Sequence, residues 1–550
     1  MKVSKNWLKE LVDLKVPIGE IIRLLPLRTI GIKEEASEYF ELDMKGYNRA
    51  DLLSMRGVAY EIAAITGSKI FFSEEEWQDS NLPKTDVRIE DEALAPLYCI
   101  AKIEGLKVEH SNETWVKKLN DSGIRAVNNV ADITNLIMLE YGQPMHSFDA
   151  QKVKDATIIV RTAKEGEEII TLDGKTRRLN TTDLLITDPE KAVGIAGVMG
   201  GQNSEITNST TSILLEAAIF DPINLRKTAT GLGLQSEASK RFQHGLTKKR
   251  LLRAFDAAIK MYEGLGGKVS AITLAGDLED KEKKVILTKK RLNTIAGIEI
   301  DPEDVEDYLK RLNFTVIKID EDWEVTVPYF RLDIEIEDDL IEEVARMYGY
   351  EKIPAKQLTG NIPTPAQNPV FELLDSLKQT LVNAGLIEVQ TYSYYSTEVL
   401  NNLSLNTKGL IKILNPMSAE TEYMRSNLWP NLLEATAKNI RNGIKDVTIF
   451  EIGKTYRIKD GQPKEGYRLS IALSNGTNNP LAELSVVAET AYSVHLGGGL
   501  GRTPREYFHP TRFAGLEKDG KEIGWIGEVH PRIVNKFGIE QRIAVLEIEL

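Results

Sequence analysis

The sequence contains a single cysteine, Cys99, among its 550 residues. One thiol excludes a disulfide within the chain, and it excludes a zinc site built from several cysteines. Cys99 lies in the apolar run LYCI, where a cysteine is more often a core residue than a nucleophile. We therefore expect Cys99 to be buried and to carry no chemistry.

Long apolar runs are also missing from the sequence. No stretch approaches the roughly 20 apolar residues that a helix needs to span a bilayer. The N-terminus, MKVSKNWLKELVDL, intersperses charges among its apolar residues and lacks the apolar segment of a signal peptide. These absences predict a cytoplasmic protein with no membrane partner.

Basic residues are outnumbered, with 69 Lys and Arg against 82 Asp and Glu, for a formal net charge of −13. A chain with this balance is not expected to coat nucleic acid with its whole surface. Short basic runs such as Lys248–Arg250 leave two interpretations open, a local binding patch or a solvated helix end.

The length predicts about three to five domains of ordinary size. Hydrophobic patterns predict an α+β multidomain fold in which Asp301 caps a helix that begins with Pro302. Four modules are expected: an N-terminal helical module (1–75), a long mixed module (87–278), a compact module (279–356) and a module of antiparallel strands (365–550).

An acidic segment runs from Asp333 to Glu343, where seven of eleven residues are carboxylates. Asp339, Glu342 and Glu343 have the i, i+3, i+4 spacing that projects side chains from one helix face. Together with Asp333 they offer four oxygen donors, which suit Mg²⁺. An acidic first turn is also typical of a helix N-terminus, where the dipole favours negative charge. Spacing alone leaves both interpretations open.

A second group of polar residues lies in the mixed module. Thr134 and Asn135 fall on a predicted helix that ends near Gly142, and the segment QPMHSF is expected to be a loop that presents His146. A single histidine in a loop most often has no catalytic role, so this group alone does not define a site.

Glu216 lies inside the apolar strand SILLEAAIF. A carboxylate is costly to bury, so such a residue usually has a partner or a task, unless it points to the solvated face of its strand. The segment GIAGVMGG, which contains Ala196 and Gly197, permits close backbone approach but lacks the GK[ST] ending of a phosphate-binding loop.

Eight segments, in order, resemble the beta subunit of bacterial-type phenylalanyl-tRNA synthetase, and they extend over nearly the whole chain. The segments are NRADLLSMRGVAYEIAAITG, NNVADITNLIMLEYGQPMHSFD, TLDGKTRRLN, IAGVMGGQNSEIT, LLEAAIFDP, SEASKRFQHG, FRLDIEIEDDLIEEVARMYGYEKIP and NPMSAETEYMRSNLWPNLL. Eight blocks in one order form a specific signature.

The resemblance implies a ligase subunit in an (αβ)₂ heterotetramer, whose alpha subunit activates phenylalanine with ATP and transfers it to tRNA(Phe). Residues 365–550 would form a class II synthetase-like module without a working active site, so no catalytic residue for aminoacylation is expected here. Residues 279–356 would form a winged-helix-like module. The family's Mg²⁺ ligands, in a site shared with the alpha subunit, fall on Asp333, Asp339, Glu342 and Glu343.

Residues 87–278 resemble the family's editing module, which hydrolyses tyrosine wrongly attached to the tRNA. The family's editing-pocket positions fall on Arg125, Thr134, Asn135, His146, Ala196, Gly197 and Glu216. Tyrosine is phenylalanine plus one hydroxyl, and an apolar pocket rejects such an analogue only roughly 10²-fold, so a second sieve is useful. We expect Glu216 to accept the phenol hydrogen bond, and His146 and Thr134 to position the substrate or the attacking water.

Two other functions stay open, a free-standing editing hydrolase and a non-enzymatic assembly scaffold. The chain also departs from the family's usual pattern. The segment RTIGIKEEASEYFELDMKGYNRAD leaves no room for the usual inserted oligonucleotide-binding domain, and the sequence stops where a C-terminal anticodon-binding domain is expected to begin. Both differences weaken the expectation of strong tRNA binding by this subunit.

Overall fold

A computed structural model describes residues 1–74, 76–357, 359–361, 366, 368–476, 479–492, 495–497, 505–518 and 521–550. The chain divides into two compact units, Met1–Leu358 and Thr359–Leu550. Both units combine helices with sheets, which confirms the predicted α+β class. The finer division into four modules stays a prediction.

The first unit begins with a small sheet and three helices. They are β1 (Lys2–Ser4), α1 (Lys5–Leu11), α2 (Ile18–Arg28), β2 (Ile32–Glu35), β3 (Tyr39–Leu42) and α3 (Met55–Thr66). The strands are ordered β1-β3-β2, and this sheet was not predicted. The predicted end of α3 at Gly67 is confirmed, because that glycine has a φ of 65° and its N–H bonds to the Ala63 carbonyl.

The middle of the first unit consists of two packed sheets, a separate two-stranded sheet formed by Glu168–Ile170 and Thr176–Arg178, and the helices around them. Its strands are β4 (Val87–Ile89), β5 (Leu97–Glu104), β6 (Met145–Asp149), β7 (Ile158–Thr162), β8 (Glu168–Ile170), β9 (Thr176–Arg178), β10 (Leu184–Thr187), β11 (Ala192–Ile195), β12 (Met199–Gly200), β13 (Ser212–Ile219) and β14 (Lys268–Gly276). Its helices are α4 (Glu113–Asp121), α5 (Asn129–Tyr141), α6 (Pro222–Gly231), α7 (Glu237–Gln243) and α8 (Lys248–Gly264).

The larger sheet of this region has the order β12-β11-β10-β7-β4, and the second has the order β14-β5-β13-β6. Apolar side chains from both sheets, such as Ile100, Val160 and Leu215, share one core. Cys99 lies in the same core, as predicted, and burial raises the pKa of its thiol. The edge at which β6 and β11–β12 meet positions the candidate site.

The first unit closes with a three-stranded sheet and three helices. They are β15 (Lys283–Leu287), α9 (Lys289–Ala296), α10 (Pro302–Arg311), β16 (Thr315–Ile319), β17 (Asp322–Val327) and α11 (Glu337–Tyr348). The strands are ordered β15-β17-β16. Asp301 caps α10 as predicted, since its carboxylate accepts a 2.9 Å hydrogen bond from the Glu303 N–H. The acidic segment runs into the first turns of α11.

The second unit is built on one seven-stranded sheet. Its elements are α12 (Pro369–Asn383), β18 (Ile387–Glu388), β19 (Tyr394–Tyr395), α13 (Thr397–Leu403), β20 (Tyr423–Met424), α14 (Trp429–Arg441), β21 (Val447–Lys459), β22 (Gln462–Ser474), α15 (Pro480–Tyr492), β23 (His495–Gly497), β24 (Phe508–Lys518), β25 (Lys521–Val529), α16 (Pro531–Lys536) and β26 (Ala544–Glu549).

The order of this sheet is β18-β21-β22-β26-β25-β24-β23, and all neighbours are antiparallel except β18 and β21. The clearest strands expected from the sequence (TIFEIGKTYRI, YRLSIALSN, KEIGWIGEVH and RIAVLEIEL) are confirmed. In neither unit does any described helix have the length and apolar composition needed to cross a bilayer.

Candidate functional site

A cavity of about 110 Å³ opens beside β6, β11, β12 and β13 in the first unit. Its size is on the scale of an apolar cavity of about 150 Å³ that holds a benzene-sized ring. The residues that line it are Pro144, Met145, His146, Phe148, Ile186, Gly194, Ile195, Gly197, Val198, Met199, Gly200, Glu216, Ala238 and Phe242. Its wall is mostly apolar, and Glu216 and His146 are its two titratable groups.

His146 and Glu216 are direct cross-strand partners. Antiparallel β6 and β13 place them opposite each other, so both side chains leave the sheet on the same face. The prediction of a loop at His146 is therefore wrong, because backbone pairing with β13 makes this segment a strand. Only 7% of Glu216 is exposed, which also excludes the solvated-face interpretation.

Burial shifts both groups toward their uncharged forms. It raises the pKa of Glu216 to about 8 and lowers the pKa of His146 to about 4. Near pH 7 the cavity therefore holds a protonated carboxyl group and a neutral imidazole. His146 Nε2 is buried without a hydrogen-bond partner in the described part of the chain, which makes it available to a ligand.

Tyr98 approaches Glu216 from the neighbouring strand. On β5 it lies opposite Ala218 while Ile100 lies opposite Glu216, so Tyr98 is diagonal to Glu216 on the same face. The hydroxyl is buried and faces Glu216 without a fully formed hydrogen bond, and it lowers the pKa of the carboxyl against the effect of burial. Sequence analysis missed Tyr98, since only the pairing of β5 with β13 brings it there.

Two glycines shape the cavity wall. Gly197 has a φ of +65°, and a Cβ there would lie 2.3 Å from Leu225 Cδ1. A Cβ on Gly200 would lie 2.6 Å from Nε2 of His146. The Ser236 hydroxyl donates a 3.0 Å hydrogen bond to the Val198 carbonyl, so the first residue of the SEASKRFQHG motif holds the turn that carries Gly197.

Three of the seven predicted pocket residues line the cavity, namely His146, Gly197 and Glu216. Ala196 is buried beside Gly197. The other three do not line it: Arg125 is exposed in the loop before α5, Asn135 is half-buried on α5, and the buried Thr134 hydroxyl donates to the Ala131 carbonyl at 2.7 Å. The roles of all seven stay predictions.

The acidic segment is arranged differently from its expected geometry. Asp339 accepts hydrogen bonds from the N–H groups of Glu335 (2.6 Å) and Ile336 (2.8 Å), so it stabilises the start of α11. Glu342 is exposed, whereas Glu343 is buried. The expected i, i+3, i+4 placement on one helix is confirmed, because α11 contains all three residues, but Glu343 is buried against arginines and does not extend into solvent with Glu342.

The four carboxylates do not fit an Mg²⁺ ion held by this chain alone. Arg331 already lies between Asp333 and Glu343, at 2.7 Å and 2.5 Å from their oxygens. Among the described residues, no group of three or more His, Cys, Asp or Glu side chains has an arrangement that could hold a metal ion. A site shared with a second subunit stays a prediction.

Three family models match the chain. The B3/4 domain matches residues 94–267, the tRNA synthetase B5 domain matches 285–350, and the phenylalanyl-tRNA synthetase beta chain CLM domain matches 353–550. The phenylalanine–tRNA ligase beta subunit of Streptococcus thermophilus is 34% identical over 538 residues, which cover 92% of this chain and 65% of that protein. The chain belongs to the family of phenylalanine–tRNA ligase beta subunits.

Other members of the beta-subunit family show the same degree of similarity. The Staphylococcus haemolyticus subunit is 35% identical over 88% of this chain and 63% of its own length. The Geobacter sulfurreducens subunit is 34% identical over 91% of this chain and 66% of its own length. The chain thus spans about two-thirds of the length of the beta subunits that it matches.

One solved structure is an N-terminal fragment of the phenylalanyl-tRNA synthetase beta subunit from Pyrococcus horikoshii. It aligns with 63% of this chain and 99% of that fragment, at 19% identity and a TM-score of 0.36. A TM-score this low supports no statement about the arrangement of the present chain. Family membership therefore rests on the sequence matches.

Proposed function

We propose that this chain acts as the beta subunit of phenylalanine–tRNA ligase and that the cavity beside His146 and Glu216 hydrolyses Tyr-tRNA(Phe). The name shared by the relatives supports the first part of the proposal. The B3/4 family, which is an editing-domain family, supports the second part. The observation that carries it is the buried Glu216–His146 pair at one wall of an otherwise apolar cavity.

In the proposed enzyme, synthesis takes place on an alpha subunit that pairs with this chain in a cytoplasmic (αβ)₂ heterotetramer. Phenylalanine, ATP and Mg²⁺ would bind there, and tRNA(Phe) would be shared between the subunits. Residues 87–278 would edit, residues 279–356 would form the winged-helix-like module, and residues 365–550 would form the synthetase-like module that has no working active site.

Glu216 is the group that would distinguish tyrosine from phenylalanine. A tyrosyl ring in the cavity would place its hydroxyl near Glu216, and the phenol O–H would donate to a carboxyl oxygen. Phenylalanine has no hydroxyl and would leave the buried carboxyl without a partner, which costs about 1–3 kcal/mol. A site that hydrogen-bonds a substrate hydroxyl rejects the analogue that lacks it much better than an apolar pocket rejects an added hydroxyl.

His146 would position the reacting groups and would not act as the base. A group with a pKa of about 4 is a weak proton acceptor at neutral pH. Its unpaired Nε2 can still hold the attacking water or the ester oxygen by a hydrogen bond. Water adds to the ester carbonyl carbon, the bond to the ribose oxygen breaks, and that oxygen takes up a proton as tyrosine leaves.

Deacylation of mischarged Tyr-tRNA(Phe) tests the editing proposal. The chain reconstituted with its alpha subunit is expected to hydrolyse Tyr-tRNA(Phe) and to spare Phe-tRNA(Phe). Glu216→Ala is expected to reduce this selectivity by about 10-fold or more, from the lost hydrogen bond. Glu168→Ala, which removes an exposed carboxylate on β8, is the matched control and is expected to change nothing. Unchanged selectivity in Glu216→Ala would contradict the assignment.

The same assay separates the remaining functions. Aminoacylation by the reconstituted pair supports the ligase subunit, and failure to form a heterotetramer or to make Phe-tRNA(Phe) rejects it. Full deacylation by the chain without an alpha subunit would favour a free-standing hydrolase. Assembly and aminoacylation with no deacylation would favour a scaffold whose editing pocket is inactive.

A further inference from the structure

A buried network of ion pairs joins two distant parts of the sequence within the first unit. Three arginines and four carboxylates form it, and it does not depend on the editing proposal. The members are Arg49, Asp51, Glu61, Arg331, Asp333, Glu343 and Arg346. We call this set the arginine network. It contains two of the four residues that the family resemblance assigns to Mg²⁺, Asp333 and Glu343.

Arg331 lies before the acidic segment and pairs with two of its carboxylates. Its Nε donates to Asp333 Oδ1 at 2.9 Å and its Nη2 donates to Asp333 Oδ2 at 2.7 Å. Its Nη1 donates to Glu343 Oε2 at 2.5 Å. One guanidinium therefore bridges the two carboxylates, at the position that a shared cation would need to take.

Arg346 continues the network toward the N-terminal part of the chain. It donates to Glu343 through Nε at 2.8 Å and through Nη2 at 2.6 Å. Its Nη1 contacts Glu61 on α3 and donates to the Thr29 hydroxyl at 3.1 Å. Helix α11 is thus joined to α3 and to the end of α2 by one side chain.

Arg49 completes the network from the N-terminal side. Its guanidinium donates to both oxygens of Asp51, at 2.9 and 2.7 Å, and to Glu61 Oε2 at 2.8 Å. It also lies 4.0 Å from Asp333 Oδ2. Glu61 therefore accepts from two arginines that reach it from different segments.

The carboxylates of this network stay ionised because arginines lie beside them. Burial alone would raise the pKa of Glu61, but the guanidinium groups of Arg346 and Arg49 outweigh burial and hold that pKa at about 2. Glu343 is likewise buried between two guanidinium groups, since Arg331 and Arg346 both donate to its carboxylate. A divalent cation between Asp333 and Glu343 would displace Arg331 and leave a buried guanidinium unpaired, which is strongly unfavourable.

We infer that in this chain Asp333 and Glu343 are structural partners of Arg331 and Arg346, which fasten α11 to the N-terminal helices, and are not metal ligands. The acidic segment then needs no metal ion to offset its like charges. Asp339 has a separate role in the first turn of α11, where it accepts a hydrogen bond from the N–H of the N-cap residue Ile336. Glu342 is the member of the predicted ligand set that stays exposed.

Metal binding by the 550-residue chain gives the first test. Mn²⁺ is titrated into the protein, and its free concentration is followed by electron paramagnetic resonance. We expect either no tight stoichiometric site or a site whose affinity falls in Glu342→Gln and is unchanged in Asp333→Asn. A stoichiometric Mn²⁺ site that is lost in both Asp333→Asn and Glu343→Gln would overturn the inference.

Local stability gives the second test. Glu343→Gln leaves two buried guanidinium groups short of a partner, so we expect the unfolding midpoint to fall by about 5 °C or more. Hydrogen exchange is expected to accelerate in both α3 and α11. Glu342→Gln, one residue earlier on the same helix, is the matched control and is expected to change neither.

A chelator separates the two roles without any variant. EDTA is expected to leave the unfolding midpoint and the exchange of α3 unchanged, because arginines and not metal hold the network together. A midpoint that falls in EDTA and recovers with Mg²⁺ would overturn the inference, even if Glu343→Gln failed to fold.

Discussion

Two buried glutamates in the same unit show opposite pKa shifts. Burial raises the pKa of Glu216 to about 8, and only the Tyr98 hydroxyl acts against it. Glu61 is at least as deeply buried, yet Arg346 and Arg49 hold its pKa at about 2. Both side chains are deeply buried, so the direction of each pKa shift depends on the charged neighbours.

The difference distinguishes a site from a structural element. Glu61 already accepts from two guanidinium groups and a hydroxyl, so it has little capacity left for a ligand. Glu216 faces an apolar cavity, and the Tyr98 hydroxyl near it makes no fully formed hydrogen bond. His146 beside it has an unpaired nitrogen. Perturbed groups with unused hydrogen-bonding capacity are the ones to test for function.

The same substitution at the two glutamates gives the largest predicted contrast. Glu61→Gln leaves Arg346 and Arg49 with an uncharged partner, which is expected to cost about 3–5 kcal/mol of stability. Glu216→Gln replaces a carboxyl that is already protonated near pH 6 and removes the free-energy cost of its proton uptake on folding, so no loss of stability is expected. Urea unfolding of both variants measures the difference, and equal losses would contradict the comparison.

Access to His146 gives the next largest effect. In Gly200→Ala the new methyl group would overlap the imidazole, so the ring must move. A displacement of about 1 Å is expected to slow Tyr-tRNA(Phe) deacylation by about 10²-fold while the fold is kept. Gly194→Ala is the control on the same wall, because its Cβ would meet its nearest neighbours at an ordinary 3.7 Å. Equal rates in the two variants would remove His146 from the mechanism.

The sequence predicted the elements of the fold better than it predicted the site. Helix ends at Gly67 and Asp301 follow from local rules, because capping and positive φ depend on neighbouring residues. The site depends on strand register. Nothing in QPMHSF reveals that His146 pairs with Glu216, since the two strands lie about 70 residues apart in the chain and meet only in the folded sheet.

The acidic segment also shows which features the sequence predicts and which depend on the folded chain. The helix and its buried residues Leu340 and Val344 follow from periodicity. The inward turn of Glu343 does not, because its partner Arg346 belongs to a network that reaches Glu61 from another segment. The family resemblance gave candidate metal ligands, whereas the arginine side chains that neutralise them come together only in the folded chain.

Stability as a function of pH tests the two shifts together. Glu216 binds its proton more tightly when folded, with a pKa of about 8 against 4.5, so its contribution to stability is lost as the pH rises from 4.5 to 8. His146 acts in the opposite sense, but only between about 4 and 6.5. Between pH 6.5 and 8, wild-type protein should therefore lose up to about 1.4 kcal/mol per unit relative to Glu216→Gln.

The contribution of Glu61 to stability changes with pH in the opposite direction and over a lower pH range. Its pKa falls from 4.5 to about 2 on folding, so its contribution is complete above pH 4.5 and is lost as the pH falls toward 2. Unfolding free energies of Glu61→Gln and wild type should approach each other as the pH falls from 4.5 toward 2. Curves that stay parallel would show that its charge does not stabilise the fold.

The smallest predicted effect concerns Tyr98. Its hydroxyl lowers the pKa of Glu216 against burial, so Tyr98→Phe is expected to raise that pKa by less than about one unit. The loss of stability relative to Glu216→Gln should then continue to a higher pH. Tyr262→Phe is the control, because that buried hydroxyl bonds to Ser147 and the Val130 carbonyl and not to Glu216. An upward shift in Tyr98→Phe alone would show that one neutral neighbour tunes the cavity carboxyl, whereas charged neighbours fix the carboxylates of the arginine network.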